Sequence, residues 1–504
     1  MDVLHSLYSG FQTALTIQNV YLCFIGCLWG TMVGVLPGIG PVAGITLLIP
    51  ATFGLNPTSA LIMLAGIYYG AMYGGSTTSI LMNVPGESAS VVTCIEGYQM
   101  TLKGRGGAAL FISAWGSWVG GTASVIGVML LTPVLADLAV RLGPAEMFAI
   151  LLLCFILLAS LGSGSFFDTI PVILIGLLVC LVGIDSQSGV QRFTHGITDL
   201  YDGIGFLPVG MGALGIAEVL RSTEESLLRT VNKVRLRDLL PTCDELFASL
   251  GPILRGSGLG FVIGLLPGSA HILSSFLSYT LEKKLAKNPE EFGTGRIEGV
   301  AGPETANNAA SGSALIPLLA LGIPTGNAPA VMMIALLIHG VRPGPLLISE
   351  SPEIFWGLVA SMYIGNLVLI ILNLPLVGLF VKLLRIPFRI LFPIIILVCL
   401  VGTFSIKGST FELGVLLFFG LLGYVLKKLK YDVPPLILAL IVGRTMELSF
   451  RQSLMRSGGS FSIFWESPFA MTLIFISLVM LFWNIYRAVR PQKATWEKAL
   501  EEGA

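Results

Sequence analysis

Two stretches of small polar residues carry the chemistry available to this sequence. Residues 73–79 read Tyr-Gly-Gly-Ser-Thr-Thr-Ser, which sets the hydroxyls of Ser76, Thr77 and Thr78 beside Gly75, whose missing side chain leaves the backbone amide accessible. A second stretch supplies Asn307, Asn308, Ser311 and Ser313. Neutral donors of this kind hold carboxylate oxygens, and the N-terminus of a half-helix adds a partial positive charge suited to an anion. The competing reading is close helix packing, with each hydroxyl bonded to the preceding turn of its own helix.

Charge balance narrows the choice of ligand. No Lys or Arg occurs between residues 1 and 102, so the first stretch brings no positive side chain of its own. A helix N-terminus contributes up to about 2 kcal/mol toward an anion, whereas leaving a polyvalent carboxylate uncompensated in a low-dielectric site costs considerably more. Co-bound cations restore the balance. Carbonyls freed at helix breaks, with Thr77, Asn83 and Asn308, are hard oxygen ligands suited to sodium. Glu304 is the other candidate for ion coupling, because an acid within a small-residue membrane core is a functional hypothesis by default. Its plainer role would be to cap a helix start just after Pro303.

Both stretches lie between matched helix breakers. Gly34-Val35-Leu36-Pro37-Gly38 recurs 230 residues later as Gly264-Leu265-Leu266-Pro267-Gly268. Each copy precedes a second break: Asn83-Val84-Pro85-Gly86 in the first half, and Gly322-Ile323-Pro324-Thr325-Gly326 in the second, where Pro and Gly are not adjacent. Pro removes a backbone donor and Gly permits an unwound turn, so Pro37, Gly38, Pro85, Gly86, Pro267, Gly268, Pro324 and Gly326 are the expected hinges of helices that stop near membrane mid-depth. Backbone freed there must line a protein-enclosed or watery cavity, since lipid would not tolerate it. Matched breaks in two halves of a membrane protein point to a transporter's binding site.

The membrane assignment rests on composition. With 54% hydrophobic residues, 12% charged residues and a mean hydropathy of +0.86, the chain lacks the polar surface to cover a soluble globule. Apolar runs near 20–36, 108–135, 145–161, 166–184, 352–384, 390–406, 411–427 and 467–486 alternate with polar turns. They are continuous, which excludes a transmembrane barrel. The expected fold is all-α and polytopic, with about 10–14 membrane segments. After each pair of breaks come one long and two shorter apolar runs, then a closing segment: Pro208, Gly215 and Glu218 in the first half, Pro435, Gly443 and Glu447 in the second. This is an internal duplication. Residues 1–220 form the first repeat, 221–250 a basic cytoplasmic connection, 251–460 the second repeat, and 461–504 an extra helix and cytoplasmic tail.

Arg221, Arg229, Lys233, Arg235 and Arg237 in the connection, and Arg487, Arg490, Lys493 and Lys498 after the last run, contrast with residues 1–20, which hold neither Lys nor Arg. The positive-inside rule then puts the N-terminus outside and the C-terminus in the cytoplasm, and gives the two repeats inverted topology. No cleaved signal peptide is expected before the first span. A net charge of zero suggests no nucleic-acid partner. The seven cysteines are scattered and read mostly as small buried hydrophobes, with no cofactor or resident metal implied. No Gly-Lys dipeptide exists, hence no Walker A loop. An intramembrane hydrolase is disfavoured, because His271 and His339 have no evident nucleophile and Tyr201-Asp202 and Tyr431-Asp432 lack an aspartyl-protease partner motif. A channel or stand-alone anion carrier would share the broken helices.

Several segments together resemble the large membrane subunit of the tripartite tricarboxylate transporters: Val35-Leu36-Pro37-Gly38, Tyr69-Gly70 through Gly74-Gly75-Ser76-Thr77-Thr78, Asn83-Val84-Pro85-Gly86, Arg192-Phe193-Thr194-His195-Gly196 with Asp202-Gly203, Gly302-Pro303-Glu304 with Asn307-Asn308-Ala309-Ala310, and Gly322-Ile323-Pro324. The resemblance spans roughly residues 15–490. It implies a bacterial inner-membrane secondary transporter for citrate or related polycarboxylates, driven by a sodium or proton gradient. It also implies two partners: a small four-helix membrane subunit and a periplasmic solute-binding protein.

Overall fold

The computed structural model describes residues 3–36, 40–161, 166–185, 187–222, 239–268, 270–376 and 408–489, with scattered positions between 393 and 404. Pro37, Gly38, most of the 390–406 run, the basic residues from Arg229 to Arg237, and Arg490, Lys493 and Lys498 lie outside that set. The protein is an all-α polytopic membrane protein. The described strands are two-residue pieces, β1 (Gly183–Ile184) and β2 (Gln191–Arg192), paired antiparallel.

Six described helices are long and apolar enough to cross a membrane: Ile17–Val35, Gly106–Val140, Cys243–Gly264, Pro352–Asn373, Thr410–Lys428 and the segment Pro468–Tyr486. The span at Cys243–Gly264 is absent from the apolar runs read in the sequence, because Asp244, Glu245 and Arg255 dilute its hydropathy. Asp244 and Glu245 sit in its first turn, where they complement the helix dipole. Thr242 and Glu245 close a capping box there.

In chain order the helices are α1 (Val3–Ala14), α2 (Ile17–Val35), α3 (Gly40–Leu48), α4 (Pro57–Met82), α5 (Val91–Leu102), α6 (Gly106–Val140), α7 (Pro144–Leu161), α8 (Phe166–Cys180), α9 (Phe206–Gly210) and α10 (Ala217–Ser222), the last two joined by a π-helical turn at Met211–Ile216. Then follow α11 (Cys243–Gly264), α12 (Ala270–Leu285), α13 (Glu298–Ser313), α14 (Leu315–Leu321), α15 (Asn327–Ile338), α16 (Leu347–Glu350), α17 (Pro352–Asn373), α18 (Thr410–Lys428), α19 (Pro434–Arg456), α20 (Ile463–Glu466) and α21 (Pro468–Val489).

Packing groups these helices into two compact units, each drawing on both halves of the chain: residues 1–141 with 182–429, and residues 142–181 with 430–504. In the first unit α2 packs along α4 and α11 along α13. The long helix α6 lies on α13, while α17 lies on α4, α2 and α1. The segment α9–α10 packs on α18. In the second unit α19 packs on α7 and α8, and α21 on α7. Phe148, Phe450 and Phe464 form an aromatic cluster there, with ring centroids 5.1–5.9 Å apart, and the Leu436 carbonyl of α19 occupies the space a side chain would need at Gly176 of α8.

The α2–α4 crossing is set by glycine. A Cβ at Gly26, Gly30 or Gly34 would collide with the carbonyl oxygens of Met63, Ile67 and Ala71 respectively. On α11, Gly256, Gly260 and Gly264 stand in the same relation to the carbonyls of Gly302, Ala306 and Ala310 on α13. Glycines one turn apart let two backbones touch, the small-residue packing that membrane helices favour where lipid offers no hydrophobic drive. Both packed partners are buried nearly all round, α4 from Thr58 to Leu81 and α13 from Gly299 to Ser313, the behaviour of helices enclosed by protein.

Candidate functional site

Each half brings its breaks together by backbone contact. Helix α4 starts with Pro57 in its first turn and the Asn56 side chain accepting from Ser59 N at 2.8 Å. It stops at Asn83, which is left-handed at φ +57°. The chain then passes through Pro85, and Gly86 N donates to Gly75 O at 3.3 Å. A Cβ on Gly86 would collide with Gly34 O and lie 2.6 Å from Gly75 Cα, so the end of α2, the second break and α4 meet at three glycines. In the second half α14 stops at Gly322, left-handed at φ +70°. Gly268 N, at the end of the other break, donates to Thr325 O at 2.8 Å. Gly326 starts α15 with extended backbone at φ −162°.

Side chains then join the two halves. Ser76 Oγ donates to Glu304 Oε2 at 2.5 Å, and Thr93 Oγ1 donates to Glu304 Oε1. Ser113 of α6 also faces this carboxylate. Asn307, one turn along α13, donates through Nδ2 to Glu87 Oε1 at 3.3 Å. The other oxygen of Glu87 accepts from Ala89 N at 3.0 Å and caps a short turn. Asn308 Nδ2 donates to Ser117 Oγ at 2.7 Å and to Glu304 O at 3.1 Å. Glu87, Glu304, Asn307 and Asn308 are all buried, and among the described residues neither carboxylate has a Lys or Arg within ion-pair distance.

Of the site residues expected from sequence, the structure gathers Gly75, Ser76, Glu304, Asn307 and Asn308 into this centre. Thr77 and Thr78 are buried on α4 beside Ser76. Thr78 Oγ1 donates to Gly75 O at 3.1 Å and Ser311 Oγ to Asn307 O at 2.9 Å, so both hydroxyls are bonded to their own helices. Asn83 holds the left-handed end of α4. Pro85, Gly86, Pro267, Gly268, Pro324 and Gly326 lie in breaks between helices, and Pro37 and Gly38 fall outside the described residues. Cys243 departs from the buried reading of the cysteines and is exposed at the start of α11.

Sequence reasoning passed over Glu87, because an acid after Pro-Gly reads as an ordinary turn residue. It also passed over Tyr68, whose ring is fully buried with its hydroxyl unbonded. The Tyr68 ring stands 6.5 Å from that of His271, edge-on. The Asn307 Oδ1 atom is likewise buried without a partner. Buried polar atoms are nearly always bonded, so each exception calls for a physical explanation.

A third buried acid has a different task. Glu96 of α5 accepts from Tyr279 Oη at 2.9 Å, from Gly295 N at 2.6 Å, from Arg296 N at 2.8 Å and from Gly293 N. It ties α5 to the loop before α13. Outside the membrane-length helices, Arg296 in that loop bonds Glu298 and Glu291, and the hydrogen bond to Glu298 raises its guanidinium above the ordinary value.

Residues 20–438 match the Tripartite tricarboxylate transporter TctA family. An Agrobacterium vitis protein described as an uncharacterized 52.8 kDa protein in the TAR-I ttuC' 3' region is 44% identical over 493 residues, covering 98% of each chain. Another from the same organism, an uncharacterized protein in the TAR-II ttuC' 3' region, is 44% identical over 234 residues, 46% of this chain and 97% of that one. No solved structure matches the chain. A family match across most of the sequence, together with a multi-pass helical architecture, makes this chain a member of the tripartite tricarboxylate transporter TctA family, a family of transporters and not of enzymes.

Proposed function

We propose that this chain is the large membrane permease subunit of a binding-protein-dependent secondary transporter that imports tricarboxylates or related polycarboxylates across the bacterial inner membrane. Its partners on this reading are a small four-helix membrane subunit and a periplasmic solute-binding protein. The observation that carries the proposal is the junction of the two signatures: Ser76 from the first half bonds Glu304 of the second, and Asn307 of the second bonds Glu87 of the first. Hydroxyl and amide groups at that junction, from Gly75, Ser76, Thr77, Thr78, Asn307, Asn308 and Ser311, receive the substrate's carboxylates. A co-transported sodium ion or proton, held by Glu304, Asn308, Thr77 and Asn83, balances its charge.

The reading includes an inverted repeat, and the glycine register supports the duplication in it. Gly26, Gly30 and Gly34 recur 230 residues later as Gly256, Gly260 and Gly264, while the carbonyls they meet, on Met63, Ile67 and Ala71, recur 239 residues later on Gly302, Ala306 and Ala310. The offset of 239 carries on to the left-handed stops Asn83 and Gly322 and to Pro85 and Pro324. Partner exchange fits the same relation. The long helix of each half lies on the broken pair of the other, α6 on α13 and α17 on α4.

The test is uptake into vesicles carrying the three components, with a panel of labelled di- and tricarboxylates and imposed sodium or proton gradients. Accumulation should require the binding protein and follow one of the gradients. Full-rate uptake by this chain alone would favour a self-sufficient carrier, and downhill equilibration indifferent to both ions would favour a channel.

A further inference from the structure

Two buried acids, Glu87 and Glu304, lie on either side of one asparagine. Asn307 donates to Glu87, and Glu304 stands three residues before it on the same face of α13. Gly75 fixes the approach, since a Cβ there would lie 2.7 Å from Glu87 Cγ, while the next residue, Ser76, holds Glu304. The groups facing the pair are neutral: Ser76 and Tyr68 from α4, Thr93 from α5, Ser113 from α6 and Asn307 from α13. Two uncompensated carboxylates in a low-dielectric interior are too costly to leave so. A further group in the cluster is unsatisfied, because Asn307 Oδ1 is buried, 1% exposed as a residue, and has no partner. It is an oxygen with a vacant lone pair on an amide bonded to Glu87, and an amide oxygen with carboxylate oxygens is the kind of donor set a small hard cation takes.

We infer that Glu87, Asn307 and Glu304 form a single site for one monovalent cation shared between the two carboxylates, with Glu87 a ligand in its own right and not only the cap of the turn at Ser88–Ser90. The inference deepens the transport reading, since it names the residues that would carry the coupling charge. Sodium and a proton supply the same unit of charge by different chemistry. Sodium takes oxygens from all three side chains. A proton resides on a carboxyl, and on Glu87 it would bond Asn307 Oδ1 once the amide turned over.

The experiment reads ion binding without transport, so its outcome is independent of whether the chain carries polycarboxylates. The full-length protein in detergent is melted across a sodium chloride series, with choline chloride holding ionic strength, and across a pH series. In the wild type the thermal midpoint should depend on one of the two. Glu87→Gln keeps an acceptor for Ala89 N and a donor or acceptor for Asn307, so it should melt cooperatively. It should raise the half-effective ion concentration by about tenfold or more, at least the effect of losing an outer partner of a bound metal. Glu304→Gln should do the same, and Asn307→Leu, which leaves the Glu87 cap intact, should also weaken the response. A lost sodium response assigns sodium, and a flattened pH response assigns the proton. A Glu87→Gln protein with the wild-type dependence on both ions, or a wild type indifferent to both, overturns the inference.

Discussion

Ser76 and Glu304 lie 228 positions apart in the chain and are joined by a 2.5 Å hydrogen bond inside the protein. The Ser76 hydroxyl donates to this carboxylate together with that of Thr93, and Ser113 faces it as well. Ser76→Ala should therefore destabilise the protein by about 1–3 kcal/mol, the cost of stripping a donor from a buried charged acceptor. Glu304→Gln should cost less than Glu304→Ala, because the amide retains an oxygen for one hydroxyl. Denaturation midpoints of the three variants check the order, and equal losses for Gln and Ala would speak against the two hydroxyl bonds.

The glycine crossings make a paired prediction with an internal control. Gly30→Ala drives a Cβ into Ile67 O, and Gly260→Ala drives one into Ala306 O. Each should lose about 1–3 kcal/mol through overpacking. Gly258 lies on the same helix as Gly260 with open space at its Cβ position, so Gly258→Ala should be neutral or gain up to about 1 kcal/mol of helix propensity. Thermal shift assays of the three variants should separate them. If Gly258→Ala proved as damaging as Gly260→Ala, the register would be refuted.

Asn83 has two roles to separate. As the left-handed end of α4 it tolerates Gly but not a β-branched residue, so Asn83→Val should cost about 1–2 kcal/mol from strain alone. Asn83→Gly keeps the turn and removes the side-chain oxygen. If that oxygen is a sodium ligand, Asn83→Gly should fold normally and raise the sodium concentration for half-maximal uptake. Unchanged sodium dependence would leave Asn83 only its turn.

Glu96 should matter for the fold of its loop and not for ion coupling. Glu96→Ala removes the acceptor for three backbone N–H groups and for Tyr279, and each buried donor left unpaired costs about 1–3 kcal/mol. Faster amide exchange and protease cleavage near residues 288–297 should follow, with the ion dependence of the surviving folded fraction unaltered.

What the sequence makes legible here is the set of residues that break helices or resist lipid. Pro85 and Pro324 announce interruptions wherever they stand, and the recurrence of Leu-Pro-Gly is visible without coordinates. Contacts between distant residues are another matter. Glu87 is a turn acid in the sequence and an inward-facing carboxylate only because Gly75, twelve residues earlier and lacking a side chain, lets it approach. The span at Cys243–Gly264 hides behind Asp244, Glu245 and Arg255, whose charges are spent on the helix dipole and on the Glu282 pair. Ser311 and Thr78 read as ligands by type, and the structure adds what the sequence does not show, that their hydroxyls also bond their own helices.

Carbonyl oxygens seated in the hollows left by Gly26, Gly30 and Gly34 act as teeth in notches spaced one helical turn apart. Sliding α4 by a single residue along α2, or rolling it about its axis, would bring side-chain-bearing positions such as Cys27 and Thr31 against the same oxygens. Slips of less than a turn are thereby resisted, and the same holds for α11 with α13. Displacement at the buried centre is then easier where the helices are already interrupted than within either crossing.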